Sequence, residues 1–380
     1  MKHDGRRATG DGRRATAMRL PDYTGGSLVN LVAELERRMT GTALHPGLHP
    51  DLAVTIPQAE SYVLVLFDGL GDHQLGHPAA AALRSARTAV IDAGWPTTTT
   101  VSMATVATGR TPAEHGLLGY QMRVPETGHV VNTIKWTTQW GERIEHDLWG
   151  FLPTPNLWER LASHGIEPVT LQPWNFDASP MSRMLYRGCR FEPWGDEDEA
   201  AAIVAELAAV PGRLVFFYVP HIDFAAHVGG QESDDYVEAM TMAARMWERM
   251  ARRLPAHAVA VGTADHGHVD VPEDCRIAIP KAAHADRDFG GDPRAPFVYG
   301  EVASLAAELG VDWLPRKQME HWWGPGTRHP AFDQRAPDGV LLPEPGWVVF
   351  HRHADERLIG HHGGLTDEEL RIPLLVATRD

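Results

Sequence analysis

Hydrophobic residues occur in short uninterrupted runs along much of the chain, and amphipathic stretches separate these runs. Three runs are strongly strand-like: residues 61–67 (SYVLVLF), 213–219 (RLVFFYV) and 258–263 (AVAVGT). Continuous apolar runs of this length are typical of strands that a parallel sheet buries on both faces. Further runs at 166–171 and 373–377 extend the series.

Helical periodicity occurs between the runs. Leu28, Leu31, Val32 and Leu35 recur at helical spacing and predict a helix from about Gly26. Other helices are predicted at about 156–164, 197–209 and 233–253. This alternation of strands and helices predicts an α/β fold with a mostly parallel central sheet and helices on both faces.

Three segments fall outside the alternation. Residues 1–17 contain a duplicated Asp-Gly-Arg-Arg-Ala-Thr without apolar periodicity, which predicts a disordered extension and leaves Met1 or Met18 as the start of translation. Residues 121–156 are rich in tryptophan and residues 275–350 in proline and tryptophan. We expect both to be irregular insertions that cover the site, within a single domain over 18–380.

Composition narrows the range of partners. The chain is 43% hydrophobic and 22% charged, as expected for a soluble globular protein. A formal charge of −15 argues against binding of a nucleic-acid polymer, which needs a positive surface.

Two cysteines provide neither a disulfide framework nor a thiolate metal cluster. No apolar run is long enough to span a membrane and no apolar leader is present, so we expect a cytoplasmic location with no membrane partner. The oligomeric state is not indicated.

Acidic and imidazole side chains follow the predicted strands. Asp68, Asp223 and Asp265 lie at or just beyond the ends of three apolar strands, and parallel strands bring these ends to one edge of the sheet. Carboxylate and imidazole donors suit Zn²⁺ or a similar divalent ion. The set holds six ligands, enough for two catalytic ions: Asp68, Asp223, His227, Asp265, His266 and one of His361 or His362.

A run of four threonines, Thr97–Thr100, lies between a Trp-Pro pair and a small-residue helix. Taken alone, the run indicates a strand end or a helix cap. A hydroxyl at a helix N-terminus is also well placed to attack a phosphoryl group, because the exposed N–H groups there favour anions. Two metal ions at the sheet edge would supply the activation that such a hydroxyl lacks.

These residues together resemble the alkaline phosphatase superfamily, and more closely its nucleotide pyrophosphatase/phosphodiesterase branch, over about residues 60–377. The resemblance rests on the following motifs: Asp68-Gly69, Thr99, Asp223-x-x-x-His227, Asp265-His266-Gly267 and His362-Gly363. In that branch a proline precedes the nucleophilic threonine by three residues, and the glycine of a Thr-Gly pair follows ten residues later. Pro96, Thr99 and Gly109 reproduce this spacing. The resemblance therefore implies Thr99 as nucleophile.

The resemblance also implies the distribution of ligands. One metal would be held by Asp223, His227 and His362, since the histidine of the family directly precedes a glycine. The other would be held by Asp68, Asp265, His266 and Thr99. Extra histidines in the same motifs, His221, His268 and His361, are expected in supporting or surface positions. The implied activity is hydrolysis of a small phosphodiester or nucleotide-type substrate through a covalent phospho-threonine, with two divalent ions, expected to be Zn²⁺, as cofactors.

One position departs from the family. Many members of the branch carry an asparagine three residues after the nucleophile, whereas this chain has Ser102, which we expect to contact the substrate in its place. The Cys/Ser-x-Pro-x-Arg motif of sulfatases is absent from the sequence. A phosphomonoesterase with the same metals remains the alternative, with Arg110 as a weak candidate for the extra cation that such an enzyme needs. A metal-binding relative without catalytic activity is a further alternative.

Overall fold

The protein is described by a computed structural model that covers residues 19–379, so the predicted disordered segment 1–17 lies outside the described residues. The helices, in chain order, are α1 Leu28–Thr40, α2 Pro50–Ala53, α3 Ala81–Ala86, α4 Thr99–Thr108, α5 Pro112–His115, α6 Leu157–Ser163, α7 Pro180–Leu185, α8 Glu197–Ala208, α9 His221–Gly229, α10 Asp234–Arg253, α11 Ala303–Leu309, α12 Arg316–Met319, α13 Phe332–Arg335 and α14 Asp367–Leu370.

The strands are β1 Ser61–Phe67, β2 Arg87–Asp92, β3 Gln121–Val124, β4 His129–Asn132, β5 Thr137–Thr138, β6 Glu167–Pro173, β7 Arg190–Trp194, β8 Arg213–Val219, β9 Ala258–Thr263, β10 Val269–Asp270, β11 Arg276–Ala278, β12 Asp288–Asp292, β13 Ala295–Tyr299, β14 Asp312–Pro315, β15 Gly339–Leu342, β16 Val348–Phe350, β17 Gly360–His361 and β18 Arg371–Thr378.

Seven strands form the central sheet in the order β2-β18-β9-β1-β8-β6-β7. Strands β9, β1, β8, β6 and β7 are parallel, and β18 runs antiparallel to both β2 and β9. The three apolar runs form the centre of this sheet, and β1 and β8 are buried along almost their whole length. The predicted mostly parallel sheet with flanking helices is confirmed.

The helices begin where polar side chains cap their first turns. The Asp196 side chain accepts a hydrogen bond from the Glu199 backbone at the start of α8, and Ser233 accepts one from Tyr236 at the start of α10. Helix α10 buries a row of apolar side chains, including Met240 and Trp247, and the Trp247 ring packs edge-on against Phe67 of β1. Helical amphipathicity thus anchors this helix on the sheet.

The two insertions are not irregular, which corrects the prediction for them. Residues 121–156 contain the three-stranded antiparallel sheet β3-β4-β5, and residues 275–350 contain the four-stranded sheet β12-β13-β15-β14. Their strands have two to five residues, too few for the alternation of polar and apolar positions to be recognised. In the described part of the chain, no helix combines the length and the apolar character needed to cross a lipid bilayer.

Candidate active site

The threonine run forms the entry to α4. Thr98 is the N-cap residue with extended backbone, and the helix begins at Thr99. The Thr99 side chain is 8% exposed, and its Oγ1 lies 3.2 Å from His266 Nε2. Thr97 instead donates its hydroxyl to the Gly364 carbonyl, and Thr98 donates to Asp292. Of these three hydroxyl groups, therefore, the one at Thr99 faces the predicted metal ligands.

The first group of ligand atoms, which we call the aspartate-rich cluster, consists of Asp68, Asp265 and His266. Asp68 and Asp265 follow the adjacent strands β1 and β9, whose register pairs Leu66 with Thr263 and so brings the two carboxylates to the same level. His266 Nε2 lies 3.6 Å from Asp68 Oδ1 and 3.4 Å from Asp265 Oδ2. All three side chains are almost fully buried.

Each carboxylate of this cluster has one oxygen with hydrogen bonds and one without. Asp265 Oδ1 accepts from the backbone N–H groups of Gly69 and His266, and Asp68 Oδ2 accepts from the Tyr218 hydroxyl. Asp68 Oδ1 and Asp265 Oδ2 are buried and have no hydrogen-bond partner among the described residues. Leaving a buried carboxylate oxygen without a donor is costly, and a bound cation removes that cost.

The second group, the histidine-rich cluster, consists of Asp223, His227, His268 and His362. Asp223 and His227 lie one turn apart on α9, and Asp223 Oδ1 is 3.4 Å from His227 Nε2 and 3.8 Å from His362 Nε2. The two imidazole Nε2 atoms are 3.1 Å apart. The Asp223 and His227 side chains are 17% and 22% exposed, so this cluster is the one that opens to solvent.

Backbone carbonyls orient three of the imidazole rings. His227 Nδ1 lies 2.7 Å from the Gly360 carbonyl, His362 Nδ1 2.8 Å from the Thr97 carbonyl, and His266 Nδ1 3.2 Å from the Gly267 carbonyl. A ring that donates its Nδ1–H to a carbonyl keeps a lone pair on Nε2, which is the arrangement found in metal-binding histidines. The rings of His266 and His362 stack at 3.7 Å between centroids and so bring the two clusters side by side.

The two clusters differ in their electrostatics. Burial, followed by the negative charges of Asp265 and Asp223, raises the pKa of Asp68 well above its usual range. Burial acts in the same direction on Asp223, but its contacts with His227 and His268 outweigh it and hold the pKa of Asp223 well below its usual range. In the aspartate-rich cluster, therefore, ionisation of both carboxylates is unfavourable unless a cation is bound.

The side chain of Ser102, which was predicted to contact the substrate, lies inside the protein in this structure. Its side chain is fully buried, and its Oγ donates a 2.8 Å hydrogen bond to the Asp265 carbonyl. A serine hydroxyl has one proton, so Ser102 has none left for a phosphoryl oxygen in this arrangement. Its contact instead ties α4 to the segment that carries Asp265 and His266.

Two cavities adjoin Thr99, and both are also lined by Ile134, Asp223 and Phe224. The first, of about 310 Å³, has many polar side chains among its lining residues, including Tyr120, Asp292 and His351. The second, of about 520 Å³, is lined mainly by apolar and aromatic side chains: Met103, Phe176, Met181, Leu185, Tyr186 and Tyr218. Lys135 lines the second cavity and, among residues 19–379, is the only lysine or arginine that lines either one.

Several residues that line the site were not identified from the sequence. The Tyr120 hydroxyl accepts a hydrogen bond from Asn132 Nδ2 at 2.8 Å, which leaves its own proton available to the first cavity. Burial raises the pKa of Asp292 to about 8 in the same cavity. Lys135 was not recognised because it belongs to an insertion without clear periodicity. The tryptophans of that insertion, Trp136, Trp140 and Trp149, line neither cavity.

The remaining candidates lie apart from the ligand groups. His361 Nε2 bonds to the Leu358 carbonyl, and His221 packs beside Trp194. Arg110 lines neither cavity, and its charged neighbours are Glu114, Arg160 and Glu36. His268, in contrast, is fully buried inside the histidine-rich cluster, where it contacts Asp223.

A mostly parallel α/β sheet that presents two adjacent carboxylate–imidazole clusters and a threonine in the first turn of a helix is the arrangement expected of a hydrolase of the alkaline phosphatase superfamily. Residues 62–365 match the family model described as type I phosphodiesterase / nucleotide pyrophosphatase, and the chain belongs to this family. No curated protein gives a significant match to the sequence.

Solved structures of two related enzymes share the fold. Murine ectonucleotide pyrophosphatase/phosphodiesterase 5 is 15% identical, with a TM-score of 0.64 over 83% of this chain and 88% of that chain. Phosphonoacetate hydrolase from Sinorhizobium meliloti 1021 is 16% identical, with a TM-score of 0.61 over 86% of this chain and 92% of that chain. The family and these structural neighbours are hydrolases of phosphodiester, pyrophosphate or phosphonate bonds, and this chain is likewise a hydrolase.

Proposed function

We propose that the protein is a metal-dependent hydrolase that cleaves phosphodiester or pyrophosphate bonds of small molecules, with Thr99 as the nucleophile. The observation that carries this proposal is the position of the Thr99 hydroxyl. It lies at the start of α4, 3.2 Å from His266 Nε2. This nitrogen is in turn 3.6 and 3.4 Å from two buried carboxylate oxygens that have no partner among the described residues.

The donor atoms fit two divalent ions. Bonds of 2.0–2.1 Å in a tetrahedral zinc site place neighbouring donor atoms about 3.3 Å apart. In the first group, His266 Nε2 lies 3.2, 3.4 and 3.6 Å from donor atoms of Thr99, Asp265 and Asp68. In the second group, the separations among Asp223, His227 and His362 are 3.1, 3.4 and 3.8 Å. We therefore assign one ion to Asp68, Asp265, His266 and Thr99, and the other to Asp223, His227 and His362.

When bound, the two ions, for which we propose Zn²⁺, would supply positive charge that polarises the phosphoryl group and lowers the pKa of a nearby hydroxyl. The residues of the chain position the attacking oxygen and the phosphoryl group. Thr99 Oγ1 loses its proton and attacks phosphorus, and the bond to the leaving oxygen breaks as that oxygen takes up a proton. Water then hydrolyses the phospho-threonine, which releases the phosphoryl product and restores the Thr99 hydroxyl. The first turn of α4 adds backbone N–H groups that favour an anion at this point.

The walls of the two cavities support a diester with one flat or apolar group. Such a group would fill the second cavity, and the other substituent would extend into the first cavity, where more polar side chains line the wall, with the phosphoryl group between them at Thr99. An inactive threonine-to-alanine variant of the murine relative has been solved in complex with AMP, and the bacterial hydrolase with phosphonoacetate. These ligands support a small anionic substrate for this chain.

A monoester is the weaker candidate. A phosphomonoester carries two negative charges, and enzymes that prefer it add an arginine or a similar cation beside the phosphoryl group. No arginine of the described part of the chain lines either cavity, and Lys135 lines the second, mainly apolar cavity. We therefore expect kcat/KM for bis-p-nitrophenyl phosphate to exceed that for p-nitrophenyl phosphate on the same zinc-loaded preparation.

Substitution of the nucleophile tests the proposal. Thr99→Ala should lower turnover of bis-p-nitrophenyl phosphate by about four orders of magnitude, because the attacking oxygen is removed. Thr99→Ser keeps that oxygen and should retain most of the activity. Zinc-loaded wild-type protein without turnover of any diester would indicate a non-catalytic relative, and Thr99→Ala with wild-type turnover would refute the assignment of Thr99.

Tyr120→Phe serves as a matched variant in the same assay. It leaves Thr99 and all the proposed ligands in place and removes one hydroxyl donor from the first cavity. If that hydroxyl binds the phosphoryl oxygen in place of Ser102, kcat should fall by about 10²-fold. Ser102→Ala should instead leave KM unchanged, because its hydroxyl is bonded to the Asp265 carbonyl.

A further inference from the structure

The histidine-rich cluster contains one imidazole more than the family ligands account for. His268 is fully buried, and its Nε2 lies 2.7 Å from Asp223 Oδ1, the shortest contact within the cluster. We propose that His268 is a positioning residue that donates its Nε2–H to Asp223 Oδ1 and orients this carboxylate toward the metal, without binding the metal itself. The proposal rests on the ligand role proposed for Asp223.

The other nitrogen of the ring separates this role from ligation. The proposed ligands His227, His266 and His362 each place Nδ1 against a backbone carbonyl, which leaves Nε2 free to bind a metal. His268 Nδ1 is buried without a partner among the described residues. If His268 bound metal through Nε2, its proton would be on Nδ1, where it would be a buried N–H donor without an acceptor.

A proton on Nε2 removes this difficulty. The Nε2–H then donates to Asp223, and Nδ1 keeps only a lone pair, which is the less costly group to leave unpaired inside a protein. Ligating carboxylates commonly receive such a hydrogen bond from a neighbouring residue, and the bond fixes which lone pairs face the metal. The hydrogen bond and the burial of His268 are thus explained by one tautomer.

Two glycines hold the ring in this orientation. A Cβ at Gly69 would lie 3.0 Å from His268 Cδ2, and a Cβ at Gly360 would lie 3.0 Å from His268 Nδ1. The backbone therefore approaches the ring from both sides. Gly360 also provides the carbonyl that accepts from His227 Nδ1, so one segment of backbone contacts both His227 and His268. The ring has little space in which to turn Nδ1 toward Asp223.

Zinc affinity of three full-length proteins tests the role. In a competition titration with a chromophoric zinc chelator, His268→Ala should weaken one of two zinc equivalents by about 10- to 100-fold. His268→Gln carries an amide N–H in place of Nε2–H and is a poor zinc ligand, and it should restore the affinity to within a few-fold of wild type. An equal loss of zinc affinity in both variants would indicate that His268 is itself a metal ligand, which contradicts the proposal. An unchanged zinc affinity in His268→Ala would show that His268 has no role in zinc binding.

The ring tautomer gives a second readout that needs no metal. Long-range ¹H–¹⁵N spectra of the metal-free protein, with His268→Gln to assign the resonance, should show the proton of His268 on Nε2. A proton on Nδ1 would overturn the proposal. Failure of the wild-type protein to bind zinc would refute the proposed function instead, and the tautomer would still decide whether His268 donates to Asp223.

Discussion

The aspartate-rich and histidine-rich clusters lie side by side, but they are built in different ways. The former is attached to adjacent parallel strands, so the sheet itself fixes Asp68 and Asp265 relative to each other. The latter joins helix α9 to the loop that carries His362, and this loop is held by side-chain hydrogen bonds. The charge also differs, because two carboxylates share one imidazole in the first cluster and one carboxylate meets three imidazoles in the second.

The side chains of the two clusters are therefore held in place by different means. The aspartate-rich cluster is geometrically rigid but electrostatically unfavourable until a cation binds. The histidine-rich cluster is electrostatically balanced, but its geometry depends on how the loop after β17 is anchored. Changes to the loop anchor and changes to the charge should therefore affect the two clusters differently.

The largest effect is expected at the anchor of that loop. Glu369 is fully buried, pairs with Arg294, and accepts a hydrogen bond from the backbone N–H of Gly364, two residues after His362. Glu369→Gln leaves the buried Arg294 charge without its partner and should lower the free energy of unfolding by about 3–5 kcal/mol. Urea unfolding of the metal-free protein measures this change.

Asp367→Asn, at the exposed start of the same helix α14, is the matched control and should change stability by less than about 0.5 kcal/mol. Equal stability of the two variants would mean that the buried pair does not anchor the loop. Loss of zinc from the aspartate-rich cluster in Glu369→Gln, with the histidine-rich cluster intact, would contradict the difference between the clusters.

A smaller effect, of opposite sign in the two clusters, is expected for loss of a carboxylate charge without metal. Asp68→Asn replaces a carboxylate whose charged form is disfavoured by burial and by the charge of Asp265, and it should raise the Tm of chelator-treated protein by about 2–5 °C. Asp223→Asn weakens the hydrogen bond from His268 and should lower it by a similar amount. Differential scanning calorimetry with and without zinc measures both changes, and a lower Tm for metal-free Asp68→Asn would contradict the account.

Much of the fold could be predicted from the sequence, because the core strands are continuous apolar runs. Strands β1, β8 and β9 begin and end where these runs do. Short strands such as β14 and β15 were missed, since four residues are too few to show a period. Strand β7 was also missed, because it has only five residues and one of them is Pro193.

The site could be predicted only as far as its residues follow strand ends and motifs. The structure brings Asp68, Asp265, His266 and Thr99 together as expected, although their proposed roles remain to be tested. The contact of Ser102 with the carbonyl of Asp265 joins residues 163 positions apart, and no local pattern indicates it. The hydrogen bond between His268 and Asp223 is equally non-local.

The zinc content of the wild-type protein tests the central claim most directly. After equilibrium dialysis against zinc, inductively coupled plasma mass spectrometry should find two equivalents per chain, and one in each of Asp68→Asn and Asp223→Asn. One equivalent or none in the wild type, or two equivalents retained in both variants, would contradict a site with two metals built from these clusters.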